Sequence, residues 1–461
     1  NIQRGEFGYR QYRPAKLMEL FNNVAYINVN HSLNSFLTRS LQADSCEKII
    51  QHQLEKLKEN PQLHDSIEFN ISRSSYVFDT EDEFAVEYKN IISPEEIQKW
   101  HQDLIEIDSL NKSTLEKNNE TMLRAFSLLD GNFKYSKKEN IKFIRDNMAL
   151  PFTHHSRLGF VYFAQLNNLL RKDVITEAQK NSLLLSVKSI STKMKSDAYQ
   201  VKLGKKSLSS FLDIYGHIRA GNYNLSSSNL KNNLDFTELL VHNSEPQDEN
   251  ISLQKVIFSN IDKYFELNNI PYNASAWVEM FQTAIATREN SKFYYTKGID
   301  GILNEIDKQN ISDEELFQRL NIEFSQENTI NLDLKNTLMP DLISSSDDFY
   351  LYEEMSKDGN YIGQGTVSGK VLLLDKYSNQ PYDLDNKIVV IPAADPGWDW
   401  IFNYKIKSLI TQYGGPNSHM AIRCAEHNIP AILGVGESNF SMISASQSLS
   451  IDFSNESFAI V

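Results

Sequence analysis

The chain has 461 residues, enough for two to four domains at the usual size of about 100–200 residues each. Hydrophobic residues make up 41%, with 25 Phe and 21 Tyr, which suffices for sizeable cores, while a net charge of −14 without a basic cluster argues against nucleic acid as a partner. No apolar run reaches the roughly 20 residues of a membrane span, and Cys46 and Cys424 have no metal-ligand spacing and provide no disulfide framework, so a reducing, cytoplasmic setting is expected. The chain opens at Asn1-Ile-Gln-Arg4, without Met or signal-peptide features, and reads as part of a longer protein.

Taken in order, Val24–Val29 alternates like a strand, and Asn30–Phe36, with His31, reads as the turn of a hairpin. Ile49, Ile50, Leu54 and Leu57 predict a helix over 45–60, whereas the alternation of Ile67, Phe69 and Ile71 predicts a strand over 66–75. Ser93-Pro-Glu-Glu96 is a helix start, with a serine N-cap, proline at the first position and glutamate three residues on. Helices are then expected over 93–127, 136–149, 156–171 and 176–198. The last is opened by Thr176 and Gln179 as a capping box and carries Leu183, Leu184, Val187, Ile190 and Met194 as a core face. His154 and His155 are expected in a solvated turn; adjacent histidines cannot both face one metal from a regular helix, so no metal site is assigned.

Phe211–Ser227 places Gly216, His217, Arg219 and Tyr223 close together. That set suits gripping an anionic or polar substrate, with arginine for bidentate binding and histidine for proton transfer. It reads equally well as a helix C-terminus ended by Gly216, its cations answering the dipole. Residues 227–250 are rich in Ser and Asn and predict a loop, after which helices are expected over 252–268, 273–290, 296–309 and 312–320. Arg288 and Glu289 read first as a solvated helix face with ion pairs, and second as lining of a substrate site. Residues 341–360 are polar without a sustained period and predict a linker.

The texture then changes to short apolar strands alternating with helices: 363–374, 387–391, 408–411, 431–433 and 448–453. Inside this α/β segment, Thr411-Gln-Tyr-Gly414-Gly415-Pro-Asn417-Ser418-His419 leads into a run in which Ala421, Ile422 and Ala425 share a helical face. Ser418 is the expected N-cap, and a helix start offers unpaired N–H groups and a positive dipole end to a phosphate. The alternative for a lone histidine is a cap or a core residue. Here the neighbours decide: Gly414, Gly415, Ser418, His419, Ala421, Ile422, Glu426, Ile429, Pro430, Ala431 and Gly434 together resemble the phosphohistidine signature of the swivelling domain shared by phosphoenolpyruvate synthases, pyruvate phosphate dikinases and rifampin phosphotransferases. One departure is that Arg423 stands two places early, before Cys424-Ala-Glu426.

The resemblance implies a multidomain chain: residues 1–44 as the junction to an N-terminal ATP-grasp-like domain, 45–340 as a mainly α-helical substrate domain, and 361–461 as a β/β/α swivelling domain. It implies His419 as the catalytic phosphate carrier, with Thr411, Gly414, Gly415, Asn417, Ser418 and Asp395 supporting the phosphate. Asp395-Pro-Gly-Trp398 matches the family's turn, and Asp395 caps the next helix or faces the phosphorylated ring. The segments around His31, His217–Tyr223 and Arg288–Lys297 resemble the same group, which makes His217, Arg219, Tyr223 and Arg288 acceptor-site candidates. ATP and Mg²⁺ would be held mainly by the N-terminal domain, since no GxxxxGK[ST] occurs here. A helical domain followed by a terminal histidine domain is similar to rifampin phosphotransferases and bacterial L-glutamine kinases. The expected acceptor is the glutamine side-chain amide; a drug-type acceptor, or a phosphocarrier without its own acceptor site, is the alternative.

Overall fold

The computed structural model describes all residues except 1, 11–16, 22–23, 65–66, 130–136, 220–227, 243, 245–252, 306–341, 344–358, 375–382, 395 and 416–417. The chain divides into two compact units. The first holds Asn1–Leu115 and Phe163–Asn168, the second Glu116–Tyr162, Leu169–Asp313 and Lys357–Val461. Among the described residues no helix is long and apolar enough to cross a membrane.

In the first unit, β1 (Met18–Phe21) and β2 (Val24–Ile27) pair antiparallel. The expected turn after them is instead the helix Val29–Asn34, because the Asn28 side chain caps it by accepting from the His31 N–H at 3.0 Å. Helix Ala43–Glu59 appears as its periodicity predicts. The strand expected over 66–75 is a π-helical turn, Ile67–Ile71, closed by Ser72 N–H donating to the Ile67 carbonyl at 2.8 Å. Ile67 and Ile71 stand four apart, so the alternation was also compatible with a coil of the chain. Ser93 caps helix Pro94–Ser113 as predicted, accepting from Glu96 N–H. Phe84, Tyr88 and Trp100 form the aromatic centre of this unit, with ring centroids 4.8–5.0 Å apart for the two pairs made by Trp100.

The second unit begins with helices, several of them bounded differently from the sequence reading. The long helix expected over 93–127 breaks at Thr114, the C-cap of Pro94–Ser113, and resumes as Leu115–Leu129. That over 176–198 is two helices, Glu177–Leu185 and Ile190–Lys202, because the Ser186 hydroxyl folds back to donate to the Leu183 carbonyl at 2.7 Å and Ser189 starts the second. The loop expected over 227–250 contains helix Leu234–His242, whose apolar spacing was obscured by polar flanks. The pieces 273–290 and 296–309 are one helix, Ala274–Glu305, which Gly298 does not interrupt because Met148 and Ile144 fill the space beside it. The helix expected over 312–320 lies outside the described residues. His154 and His155 are not in a solvated turn; both are buried inside helix Leu150–Arg171.

The C-terminal part of this unit is a seven-stranded sheet built from β3 (Asn360–Ile362), β4 (Thr366–Leu373), β5 (Lys387–Ala393), β6 (Ser408–Tyr413), β7 (Ala431–Leu433), β8 (Ser448–Asp452) and β9 (Ser457–Ile460). Its order is β3-β7-β6-β5-β4-β8-β9. The neighbours from β4 to β7 are parallel, and the outer pairings are antiparallel. Parallel strands covered on both faces need continuous apolar runs. Accordingly Ile388 and Val390 face one core with Ile410, Ile432 and Leu449, while Val389 and Ile391 face another with Leu409, Leu433 and Met420. The second of these cores runs on without a break into Ala198, Phe211, Tyr215 and Phe293 of the helical part.

Candidate functional site

Strand β6 ends in the glycine turn singled out from the sequence. Gly414 has φ +134°, and a Cβ there would lie 2.4 Å from the Ala394 side chain; at Gly434, φ +71°, it would lie 2.4 Å from the Gly414 carbonyl oxygen. Only glycine lets the chain pass this closely between the ends of β5 and β7. Thr411 is buried, its Oγ1 accepting from Gly434 N–H at 3.0 Å and its carbonyl from Gly434 and Val435 N–H, so it ties β6 to the exit of β7. Gly415 accepts from Ser418 N–H at 3.0 Å, and the Ser418 Oγ accepts from Ala421 N–H at 3.2 Å, capping helix His419–Glu426. Asn417 and Asp395 lie outside the described residues, as does the side chain of His419. The backbone places His419 at the first position of the helix, where N–H groups and dipole favour an anion.

Met420, Ala421 and Cys424 bury one face of this helix in the core, and burial pushes the Cys424 thiol far up, leaving it an inert packing group. Arg423 is also buried. Its Nε lies 3.6 Å from Asp399 Oδ1, and its guanidinium stands 5.7 Å from the centre of the Phe402 ring. Helix Glu177–Leu185 packs against the same helix.

Arg423, Asp399 and Trp400 form one wall of a cavity of about 100 Å³, whose other walls come from the helical part through Lys195, Tyr215, Arg219, Glu289, Lys292 and Phe293. Arg219 is held rigidly: its Nη2 lies 2.6 Å from Asp300 Oδ1 and donates to Asn304 Oδ1 at 3.1 Å. Asn229 Nδ2 donates to both Asp300 oxygens at 3.1 and 3.2 Å, and Asn304 Nδ2 to one at 2.9 Å. Residues Glu289, Lys292, Phe293 and Thr296 fall at helical spacing on one face of Ala274–Glu305 and line the cavity together. Arg288 donates to Glu289 Oε1 at 2.7 Å and lies 5.3 Å over the Phe160 ring. Arg288 and Glu289 are therefore buried, not a solvated face. The apolar residues flanking them carry the helix into the interior, which their charges hid in the sequence.

His217 donates from Nε2 to the Phe293 carbonyl at 3.1 Å, and burial lowers its pKa to about 4, so the ring is neutral at pH 7. Tyr215, raised by burial and the nearby Asp197 carboxylate, donates to Asp197 Oδ2 at 2.8 Å. Tyr223 lies outside the described residues. His154 is held near pKa 4 by burial and by His155, while His155 Nδ1 meets Ser291 Oγ. Among the described residues no group of three or more His, Cys, Asp or Glu side chains is placed to hold a metal ion.

Arg219 and Arg288 thus come to the cavity wall or its support, and His217 lies one residue-layer behind through Phe293. Sequence reasoning missed Lys195, Asp399 and Trp400. The last two adjoin the Asp395-Pro-Gly-Trp398 motif and could have been drawn from it; Lys195 carried no signal.

Residues 384–456 match the family model described as PEP-utilising enzyme, mobile domain. Rifampicin phosphotransferase of Bacillus cereus is 32% identical over 74 residues, 16% of this chain and 8% of that protein. Phosphoenolpyruvate synthase of Helicobacter pylori is 32% identical over 83 residues, 18% of this chain and 10% of that protein. The matched stretch therefore spans a tenth or less of either relative. Strand β6, the glycine turn and the histidine-headed helix all lie within a segment that matches the mobile domain of PEP-utilising enzymes.

Proposed function

We propose that this chain is the acceptor and carrier part of an ATP-dependent phosphotransferase, in which His419 takes a phosphoryl group and passes it to a small acceptor in the cavity described above. The observation that carries this reading is the shared wall. The element that His419 heads contributes Arg423, beside Asp399 and Trp400, to a cavity whose other walls come from the helical part. A phosphohistidine is a high-energy phosphoramidate, so one residue serves both half-reactions. The ATP and Mg²⁺ chemistry is assigned to a nucleotide-binding domain, and the overall balance is ATP, water and acceptor giving AMP, Pi and phosphorylated acceptor.

The best-fitting acceptor is L-glutamine. The cavity is small, and it offers Arg219 and Lys292 to a carboxylate or phosphate and Glu289 to an ammonium group. In the transfer step the bond from phosphorus to the imidazole nitrogen breaks and one to the amide nitrogen forms, and the amide proton ends on the imidazole. Lys292 and Arg423 neutralise charge on the moving phosphoryl group.

The test is ³¹P NMR of the full-length protein with ATP, Mg²⁺ and L-glutamine, pyruvate or a rifamycin. A new phosphoramidate signal with glutamine, together with AMP, is expected, and His419→Ala abolishes both phosphohistidine and product. Product formation by His419→Ala at the wild-type rate would overturn the reading.

A further inference from the structure

The helix that His419 opens is closed by His427, its C-cap. The two ends of this short helix are thus both histidines, and the second has a partner far away in sequence. Lys195, on helix Ile190–Lys202, is 8% exposed, and its ammonium group donates to His427 Nε2. The imidazole also stacks on Phe402, with centroids 5.1 Å apart and planes at 9°. A lysine brought this far out of water needs an acceptor, and a cation at the C-terminal end of a helix also answers the helix dipole.

We propose that Lys195 and His427 form a docking pair that seats the histidine-headed helix on the helical part, and that the pair engages only while the imidazole is neutral. Nε2 accepts the lysine proton through its lone pair. Protonation removes that lone pair and sets two cations against each other at hydrogen-bond distance. Among the described residues the charged groups acting on the ring are Lys195, Arg423 on its own helix and Asp399 from the segment Pro396–Asn403. Two cations outweigh one carboxylate that Arg423 already engages. Burial, then Lys195 and Arg423, accordingly hold His427 far below the ordinary imidazole range.

The sign follows. The seated form binds fewer protons than a released form whose imidazole titrates near the usual value of about 6.5. Seating is therefore complete above that pH, and below it each pH unit weakens the seating equilibrium about tenfold. The positioning role of the pair rests on the reading of His419 as carrier, whereas its existence can be tested without any phosphoryl transfer.

The experiment is hydrogen–deuterium exchange of the whole chain between pH 5 and 7.5, corrected for intrinsic exchange, reading peptides from Ile190–Lys202 and His419–Glu426. Amides of β5 and β6 serve as the control for an intact sheet. Wild type should lose protection in both helices about tenfold per pH unit below about 6.5, with the sheet unchanged. Lys195→Met should lose that protection already at pH 7.5, and Lys195→Arg should restore it. His427→Gln, whose amide oxygen accepts from lysine but does not titrate in this range, should stay protected and give a flat profile. Equal protection in Lys195→Met and wild type at pH 7.5 would overturn the proposal, as would the same acid loss in His427→Gln as in wild type. Should Lys195→Met disturb the sheet amides as well, the His427→Gln profile alone decides.

Discussion

Gly434 faces the Gly414 carbonyl with no room for a methyl group and in a backbone conformation that L-residues rarely adopt. Gly434→Ala should therefore destabilise the C-terminal module by about 3 kcal/mol, combining left-handed strain with a backbone clash, as read from urea unfolding. Arg219 presents a different cost. Replacing it by Met leaves Asp300 buried beside Asn229 and Asn304 without its cation, and the loss should be about 3–5 kcal/mol. Arg219→Met with Asp300→Asn should recover much of that stability while leaving acceptor binding weak, which separates folding from function by calorimetry. Residue identities at this scale were partly legible. The glycine turn and the helix start at Ser418 and His419 declare themselves because a tight positive-φ turn needs glycine and a helix N-cap favours serine. The pairing of Lys195 with His427 did not, since 232 residues separate them and Lys195 stands in no motif.

At the scale of elements, the start signals were the most readable part of the chain. Thr176 accepts from Gln179 N–H while the Gln179 side chain accepts from Thr176 N–H, as the four-residue pattern predicts. Thr176→Ala should cost about 1 kcal/mol, and Ser418→Ala a similar amount with additional loss of phosphohistidine lifetime, measured by ³¹P decay after chemical phosphorylation. Helix ends and breaks were less readable, because they depend on what packs alongside. Gly298 could stay within Ala274–Glu305 only because the side chains of Met148 and Ile144 occupy the space beside it. Alternation over Ile67–Ile71 misled for a related reason: with three apolar residues, period two and one helical turn cannot be distinguished.

For the whole molecule, buried neutral histidines set the response to acid. His154 and His217 both have pKa values lowered to about 4, so each contributes stability that is fully present above the ordinary value near 6.5. That contribution is lost as pH falls from there toward about 4. The thermal midpoint should drop over this window, and His217→Gln should blunt the drop, as followed by circular dichroism at a series of pH values. The change from helical spacing to short apolar strands was legible in the order of residues, and both kinds of element are present. The cavity was not, since its walls come from segments around residues 195, 219, 292, 400 and 423 that only the folded chain assembles.

The order of the sheet carries a further consequence for how the protein is made. Strand β4 is hydrogen-bonded on one side to β5, close behind it in sequence, but on the other to β8, with Thr366 opposite Asp452. Leu449 and Ile451 of β8 also complete the core beneath β5. A nascent chain that has not yet released Ser448–Asp452 from the ribosome keeps β4 as an open edge over an unfilled core. The glycine turn and the histidine helix are synthesised before the sheet that must hold them can close, so a stop codon just ahead of Ser448 should yield an aggregating product, not a folded sheet.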